Sequence, residues 1–147
     1  MSSTRGSTKR SASHKKNSIT QKGDYYNLQE IYQRVNERYF EGKLALSIAW
    51  VGNKQAKPRT RIMFGSYNQR TQHIKIHRRL DASHVPMHFI EFVIYHEMLH
   101  HVLPPILTRR RRRIHHPVFI QREREFHAYD LAMSFREEVK RNWFNKD

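Results

Sequence analysis

The apolar positions of this chain follow a helical period first, then a strand-like alternation, and then a helical period again. After Asn27 they recur every three or four residues, which is typical of a helix with one buried face. Asn27 and Glu30 are spaced as an N-cap pair and Gly42 suits a helix end, so a first helix is predicted between Asn27 and Gly42. The residues predicted on its buried face are Leu28, Ile31, Tyr32, Val35 and Tyr39.

Three short segments with strand-like patterns come next. LALSIAWV (44–51) places Leu44, Leu46, Ile48 and Trp50 on one face of a strand. RIMFGSY (61–67) and QHIKIH (72–77) follow, joined to each other by a polar turn at 68–71. Short apolar segments bounded by turn residues are typical of strands. We therefore expect a small antiparallel sheet of about three strands.

The most apolar segment of the chain predicts a central helix. Ser83 is expected to cap this helix and Pro86 is tolerated in its first turn, while Pro104 and Pro105 end it after Leu103. Because no run approaches the roughly 20 apolar residues of a membrane span, this helix is expected to lie in a protein core.

The remainder of the chain predicts a loop and one long helix. Residues 108–115 contain five consecutive arginines and are expected to form the loop. The helix is expected to begin near Pro117 and to run to about Phe144. The order of elements predicts an α+β fold: one N-terminal helix, a small sheet, the central helix and a long C-terminal helix. Core candidates of the last helix are Phe119, Phe126, Leu131, Phe135 and Val139.

The first 23 residues differ in composition from the rest. They hold six basic residues, no acidic residue and little that could be buried, so residues 1–23 are predicted to be a disordered basic tail and residues 24–147 one folded domain. A solvated leader is the plainer alternative. An organellar transit peptide is weaker still, because the apolar half of an amphipathic helix is missing.

Charge and composition narrow the possible functions. The formal charge is +15 and the pI about 10.6, which indicates a polyanionic partner, most often nucleic acid. After residue 23 the chain holds 22 of the 28 basic residues and all 13 acidic residues. The folded part therefore also carries an excess of positive charge. The absence of cysteine excludes disulfides and thiolate metal sites. We expect an intracellular monomer, cytoplasmic or associated with the nucleoid or nucleus, not secreted and with no membrane contact.

The stretch VIYHEMLHHVL (93–103) carries the candidate chemistry. His96 and His100 are four residues apart on the predicted helix, so both can point a ring nitrogen at one ion about 2 Å away. Glu97, one step round the helix, would lie beside the ion, where a carboxylate can take a proton from attacking water. The pattern predicts a zinc-hydrolase centre. The plainer alternative, two hydrogen-bonded helix histidines, would bury polar rings in an apolar setting without a metal to pair them.

A catalytic zinc ion usually has three protein ligands, so a third must come from further along the chain. The acidic candidates are weaker by pattern, because QREREF is also typical of a solvated, charged helix face. The candidates by position are His115, His116, Glu123, Glu125 and His127.

Four segments in this order, NERYFEGKL, GSY, YHEMLHH and HHPVF, resemble the SprT-like domain, the metalloprotease domain of Spartan-type and bacterial SprT proteins. The resemblance covers about residues 25–135. It implies a minimal zincin-like fold and cleavage of proteins with one zinc ion; the Spartan branch degrades proteins crosslinked to DNA. Many members also carry a C-terminal cysteine zinc ribbon, which this sequence does not contain.

In that family the third ligand is a histidine that opens a His-Gly-x-x-aromatic motif about fifteen residues after the second ligand. His115 is fifteen residues after His100 and four before Phe119, so the resemblance implies His115. His116 stands where the family has glycine and is an alternative third ligand. Hydrolases of this type often bind the substrate as an added strand, and QHIKIH is expected to be the edge that receives it.

The arginine run lies between the second and third proposed ligands, so it must fold back near the metal centre. Five guanidinium groups cannot be buried or mutually paired at low cost, so they face solvent or phosphate. We expect sequence-independent, salt-dependent DNA contacts from this run and the tail; a merely solvated charge run is the alternative. Tyr67, in the turn region, could stack on single strands, whereas Trp50 is expected in the core. The residues predicted to contact nucleic acid are Arg109, Arg110, Arg111, Arg112, Arg113, Lys9, Arg10, Lys15 and Lys16.

Together these observations predict a zinc metallopeptidase that acts on DNA-associated or DNA-crosslinked proteins. The alternative from another class is a basic nucleic-acid-binding protein with a structural, non-catalytic metal site. A zinc hydrolase of another bond, such as a phosphodiester, fits less well because the chain has only four aspartates to supply the usual ligand clusters.

Overall fold

In the computed structural model of the protein, residues 21–55 and 62–145 are described, and within them the prediction of an α+β fold is confirmed. The described part of the chain contains four α-helices, a three-stranded sheet and a two-stranded hairpin. In chain order they are α1 (Leu28–Phe40), β1 (Ser47–Val51), β2 (Gly65–Asn68), β3 (His73–His77), α2 (Met87–Val102), β4 (Ile106–Leu107), β5 (Arg112–Arg113), α3 (Pro117–Arg124) and α4 (Tyr129–Asn145).

Helix α1 begins and ends where the sequence predicts. The Asn27 side chain accepts hydrogen bonds from two backbone N–H groups of the first turn, at 3.0 and 3.3 Å. Glu41 and Gly42 both have positive φ, 55° and 69°, and this left-handed pair closes the helix. The apolar stripe of α1 packs against α2 and β1.

The three-stranded sheet is mixed, so the prediction of an antiparallel sheet is wrong. The strand order is β1-β3-β2, with β1 parallel to β3 and β2 antiparallel to it. The hairpin of β2 and β3 follows from its short turn, but nothing local decides on which side β1 pairs. Strand β3, the segment QHIKIH, is therefore central rather than an edge. Its Ile74 and Ile76 are fully buried beneath the helices.

Helix α2 lies at the centre of the molecule and contacts α1, α3, α4, β2 and β3. Its apolar residues lie on nearly all sides, which is typical of a helix buried by several neighbours. Pro86 in extended conformation is its N-cap, so the predicted cap at Ser83 is wrong. Residues 82–85 form a turn instead, in which the Val85 N–H donates to the Ala82 carbonyl. None of the described helices is both long and apolar enough to cross a membrane.

The arginine run is part of a hairpin rather than a simple loop. Ile106 pairs with Arg113 and Leu107 with Arg112. Thr108 closes the turn, because its hydroxyl and its backbone N–H both donate to the Arg111 carbonyl, at 2.7 and 2.9 Å. The hairpin returns the chain toward α2 immediately before His115.

The predicted long C-terminal helix is two helices, α3 and α4, with a tight turn at 125–128. The turn changes the helix axis, so a helical period counted from Pro117 fails beyond it. Phe119 and Phe126 are buried as predicted, whereas Leu131 is 61% exposed and Ala132 takes the buried position. Trp50, also predicted in the core, is 2% exposed.

The segment of residues 21–26, called the strap below, fastens the start of the described chain to the domain. The buried Asp81 carboxylate accepts hydrogen bonds from the backbone N–H groups of Asp24, Tyr25 and Tyr26, at 2.6, 2.8 and 3.1 Å. Gln21 donates to the Ile48 carbonyl of β1. The predicted boundary between tail and domain at residues 23 and 24 thus falls inside this segment.

Candidate metal centre

Helix α2 presents the His-Glu-x-x-His segment to a cleft. His96 and His100 are one turn apart on one face and partly buried, and Glu97 beside them is only 6% exposed. The ring of His100 lies 4.8 Å from that of His96. The apolar neighbours of α2 exclude water from this face, which strengthens every electrostatic interaction there.

His115 completes the cluster from the segment between β5 and α3. Its Nε2 atom lies 3.3 Å from Nε2 of His100, which lies 3.2 Å from Nε2 of His96. Two nitrogens bound about 2.05 Å from a tetrahedral zinc ion are separated by about 3.4 Å. A proton on one Nε2 can satisfy a single pair of these nitrogens, whereas one cation can accept a lone pair from all three at this spacing. The residues therefore fit a zinc ion, and the cluster could hold a metal.

The ring of Phe119 contacts all three imidazole rings of the cluster. Phe119 is fully buried at the start of α3, and its ring centroid lies 5.1 Å from His96, 4.6 Å from His100 and 5.0 Å from His115. A single apolar side chain thus limits the tilt of all three imidazoles. This preorganises the nitrogens for one ion.

Glu123, one of the candidate third ligands, contacts His96 rather than the point where the three Nε2 atoms meet. Its Oε2 atom lies 2.5 Å from Nδ1 of His96, which donates to it. This bond fixes the proton on Nδ1 and leaves Nε2 free to bind a metal. The Tyr95 hydroxyl donates to the Arg122 carbonyl at 2.5 Å and so holds α3, with Glu123, against α2.

The other candidates for third ligand lie elsewhere. His116 is 3% exposed, and both of its ring nitrogens are used: Nε2 contacts the Pro104 carbonyl and Nδ1 accepts from the Phe119 N–H as the N-cap of α3. His127 bonds to the Tyr39 hydroxyl at 2.7 Å. Glu125 lies 3.7 Å from Arg122 on the surface. The geometry thus places His115, and not these three, with His96 and His100.

Burial changes the protonation of the cluster. It raises the pKa of Glu97 to about 7. The nearby His96 lowers this pKa in part, and Glu123 makes a smaller contribution that raises it. Burial, followed by His96 and His115, lowers the pKa of His100 to about 3. Burial and His96 also lower the pKa of His115. At neutral pH both histidines are therefore neutral and able to bind a metal.

The cluster lines a cleft of about 540 Å³. One wall is β2, the edge strand of the sheet, and the opposite wall includes the hairpin and the segment leading to His115. Phe64, Phe89 and Phe92 form an aromatic part of the lining. A cleft of this size with an apolar lining and a few polar groups is typical of a site for a small ligand or a short peptide segment.

Tyr67 lies on β2 rather than in a turn. Its hydroxyl is 2.6 Å from Nδ1 of His101, next to the ligand candidate His100, and the tyrosine lines the cleft. The sequence alone gave no sign of this contact, because Tyr67 and His101 are 34 residues apart. It links the edge strand directly to the end of α2.

The hairpin arginines lie on the surface beside the cleft. Residues Arg109–Arg113 are all exposed, and Arg112 also lines the cleft. The exposed apolar residues Ile106, Leu107 and Ile114 accompany them. Of the predicted nucleic-acid contacts in the tail, Lys9, Arg10, Lys15 and Lys16 lie outside the described residues, so their role stays a prediction.

Comparison with known proteins gives one match. The model of the SprT-like family matches residues 28–139, which include α1, the whole sheet, the histidine cluster and most of α4. No match is found among curated proteins or solved structures.

Proposed function

This chain belongs to the SprT-like family, and on that premise we propose that it is a zinc-dependent metallopeptidase that cleaves DNA-associated proteins. His96, His100 and His115 are the zinc ligands and Glu97 is the general base. The observation that carries the proposal is the convergence of three Nε2 atoms, at 3.2 and 3.3 Å, beside a buried glutamate.

The chemistry divides between the metal and one side chain. When bound, zinc supplies a Lewis acid that polarises the scissile carbonyl and makes water more acidic. The Glu97 carboxylate takes the proton from the attacking water and passes it to the nitrogen of the leaving amine. Burial raises the pKa of Glu97 to about 7 in the metal-free protein, and a base whose pKa lies near the working pH accepts and releases the proton at similar cost.

Strand β2 is the edge that we expect to receive the substrate, in place of QHIKIH. It pairs with β3 on one side, and Gly65, Ser66 and Tyr67 line the cleft. An extended peptide added beside β2 would have its backbone satisfied by the strand and its scissile bond near the histidine cluster. Such backbone-based binding accepts many sequences.

The arginine hairpin is the feature that connects this site with nucleic acid. Its exposed guanidinium groups border the cleft, so DNA bound there brings attached proteins close to Glu97. Contacts of this kind are sequence-independent and weaken steeply with salt. We propose that the hairpin and the tail together hold the DNA.

The test is cleavage of a DNA-binding protein by the zinc-loaded enzyme, with and without single-stranded DNA. Glu97→Gln should lower the rate by about 10² to 10⁴-fold while zinc and DNA binding are kept, because it removes only the base. Glu91→Gln is the matched control, since Glu91 is on the same helix but does not line the cleft. Replacement of Arg109, Arg110, Arg111 and Arg113 by Gln should remove the DNA stimulation but not the basal cleavage.

Two outcomes would contradict the proposal. If the zinc-loaded protein cleaves nothing under any condition but binds DNA, it is a nucleic-acid-binding protein with a structural metal site. If cleavage is equal in Glu97→Gln and wild type, Glu97 is not the base.

A further inference from the structure

The charges that line the cleft are unevenly distributed. Among the described residues of the lining, Glu97 is the one acid, and it is assigned to catalysis. Arg112 and Arg136 line the same cleft. With zinc bound by neutral histidines, the cleft carries a clear excess of positive charge. A substrate segment with a negative side chain is favoured there over a neutral or positive one.

The two arginines lie at opposite ends of the cleft. Arg112 is on β5, three residues before His115. Arg136 is on α4, next to Phe135, whose ring lies 4.9 Å from that of Phe89 in the first turn of α2. Phe89 is seven residues before His96, about 10 Å along a helix. Arg136 therefore lies toward the start of α2, on the far side of the metal centre from the hairpin.

The contacts of Arg136 leave its guanidinium available. Its Nε atom is shielded from solvent and has no hydrogen-bond partner, although the side chain as a whole is 36% exposed. The nearest ion pair among the described residues is with Glu137, at 4.0 Å and beyond hydrogen-bonding distance. Glu137 is shared with Lys140, at 3.9 Å. The exposed part of the side chain can therefore be approached from the cleft, and no described acid lies within hydrogen-bonding distance of the shielded Nε to compete for the guanidinium.

We propose that Arg136 is a specificity residue that binds an acidic side chain of the peptide substrate. This rests on the proposed peptidase function and adds a substrate preference to it. A carboxylate can accept from the two Nη groups of a guanidinium in parallel, a bidentate and charge-assisted geometry. The aromatic rings of Phe64 and Phe89, which also line the cleft, exclude water from that end.

A carboxylate fits this position better than a DNA phosphate. Arg136 is a partly buried residue of the cleft wall, whereas the hairpin arginines are fully on the surface, where a nucleic acid can approach. A peptide side chain fits inside a cleft of about 540 Å³, whereas a nucleic acid held by the exposed hairpin arginines lies outside it.

The location of Arg136 toward the start of α2 sets the position of the acidic residue in the substrate. Its neighbour Phe135 contacts Phe89, which lies about 10 Å before His96 along the helix, and an extended peptide covers such a distance in roughly three residues. We therefore expect the preference two to four residues from the scissile bond. It should be confined to one side of that bond, since Arg136 lies at one end of the cleft.

The experiment uses the zinc-loaded full chain and ten-residue peptides built around a cleavage site mapped in a protein substrate. Asp, Asn or Lys is placed at each position in turn, and kcat/KM is measured for wild type, Arg136→Gln and Arg136→Glu. Wild type should prefer Asp to Asn by about tenfold at one position. Arg136→Gln should lose this ratio, Arg136→Glu should favour Lys there, and Arg141→Glu, the same charge change further along α4, should keep the wild-type ratio.

Binding of the Asp and Asn peptides to Glu97→Gln, measured by fluorescence anisotropy with and without Arg136→Gln, separates this inference from the proposed function. If wild type cleaves nothing, the peptidase proposal fails, yet a preference for the Asp peptide that needs Arg136 would still support a carboxylate site. An Asp to Asn ratio that is the same in wild type and Arg136→Gln overturns the inference. So does loss of single-stranded DNA binding in Arg136→Gln with the peptide ratio unchanged, which would make Arg136 a phosphate contact.

Discussion

Two carboxylates are buried among the residues that the structure describes, and their surroundings differ. Asp81 is 3% exposed, and three backbone N–H groups of the strap donate to it. Glu97 is 6% exposed in the wall of the cleft, where burial raises its pKa to about 7. The first environment stabilises the negative charge, and the second makes that charge costly.

This difference indicates that one carboxylate stabilises the fold and that the other is suited to proton transfer. The Asp81 carboxylate accepts three backbone hydrogen bonds from the strap, so Asp81 stabilises the fold by holding the strap. A carboxylate kept near its neutral form beside a cluster of histidines is suited to move a proton. We infer that the Asp81 contact supports the fold and that Glu97 is retained at a cost in stability.

The largest expected effect is on stability at Asp81. Asp81→Asn should lower the free energy of unfolding by about 3 kcal/mol, because the amide NH₂ group faces backbone donors and the charge-assisted bonds are lost. The measurement is urea unfolding followed by circular dichroism. Asp24→Asn is the matched control: the Asp24 side chain is 77% exposed, and its replacement should cost little.

Metal affinity is the second property to measure in the Asp81→Asn variant. If Asp81→Asn keeps its stability but loses metal, the strap supports the metal centre rather than the fold, and the division between the two carboxylates is wrong.

In the metal-free protein, replacement of Glu97 is expected to raise the free energy of unfolding, whereas replacement of Asp81 lowers it. The folded pKa of about 7 lies above the ordinary value of 4.5, so the folded state keeps a proton that the unfolded state releases. Wild-type stability should therefore fall as pH rises from 4.5 through 7, and Glu97→Gln should lack this loss. Unfolding at pH 8 should show the variant more stable by about 2 kcal/mol, with no difference at pH 4.

Glu91→Gln on the same helix controls for a general effect of removing a carboxylate from α2. A Glu97→Gln variant less stable than wild type at pH 8 would mean that the Glu97 carboxylate is as well satisfied as that of Asp81.

The surroundings of Glu97 could be predicted from the sequence. The spacing of His96, Glu97 and His100 on an apolar helix is local, and so is the N-cap of α1 at Asn27. A local pattern determines which side chains share a helix face whatever the rest of the chain does. His115 was implied by the resemblance, and the geometry brings it to the same point.

The surroundings of Asp81, the strand order and the role of Glu123 depend on contacts between residues that are distant in the sequence. Asp81 and the strap are more than 50 residues apart, and the strand order β1-β3-β2 depends on packing beneath α2. Glu123 was considered as a ligand because it is a glutamate at a plausible spacing. Only the position of α3 against α2 shows that it bonds to Nδ1 of His96 instead.

Glu123 is also where a smaller effect is expected. Glu123→Gln removes the charged acceptor that orients His96, so zinc affinity should fall by about tenfold while the ligand set stays complete. Competition with a chromogenic chelator measures it. Glu125→Gln, two residues along and on the surface, should leave the affinity unchanged. A loss of a thousandfold or more would instead make Glu123 a direct ligand.

The smallest effect is expected at Lys54, the cation nearest Asp81 among the residues described. Its Nζ lies 2.9 Å from the exposed Asp24 carboxylate and 3.8 Å from Asp81. Such a pair near the surface contributes less than about 1 kcal/mol and is screened by salt. Lys54→Gln should therefore lower the free energy of unfolding slightly, and this difference should vanish in 1 M NaCl while that of Asp81→Asn persists. Equal losses in the two variants would mean that the lysine, and not the backbone of the strap, supplies most of the stabilisation that Asp81 receives.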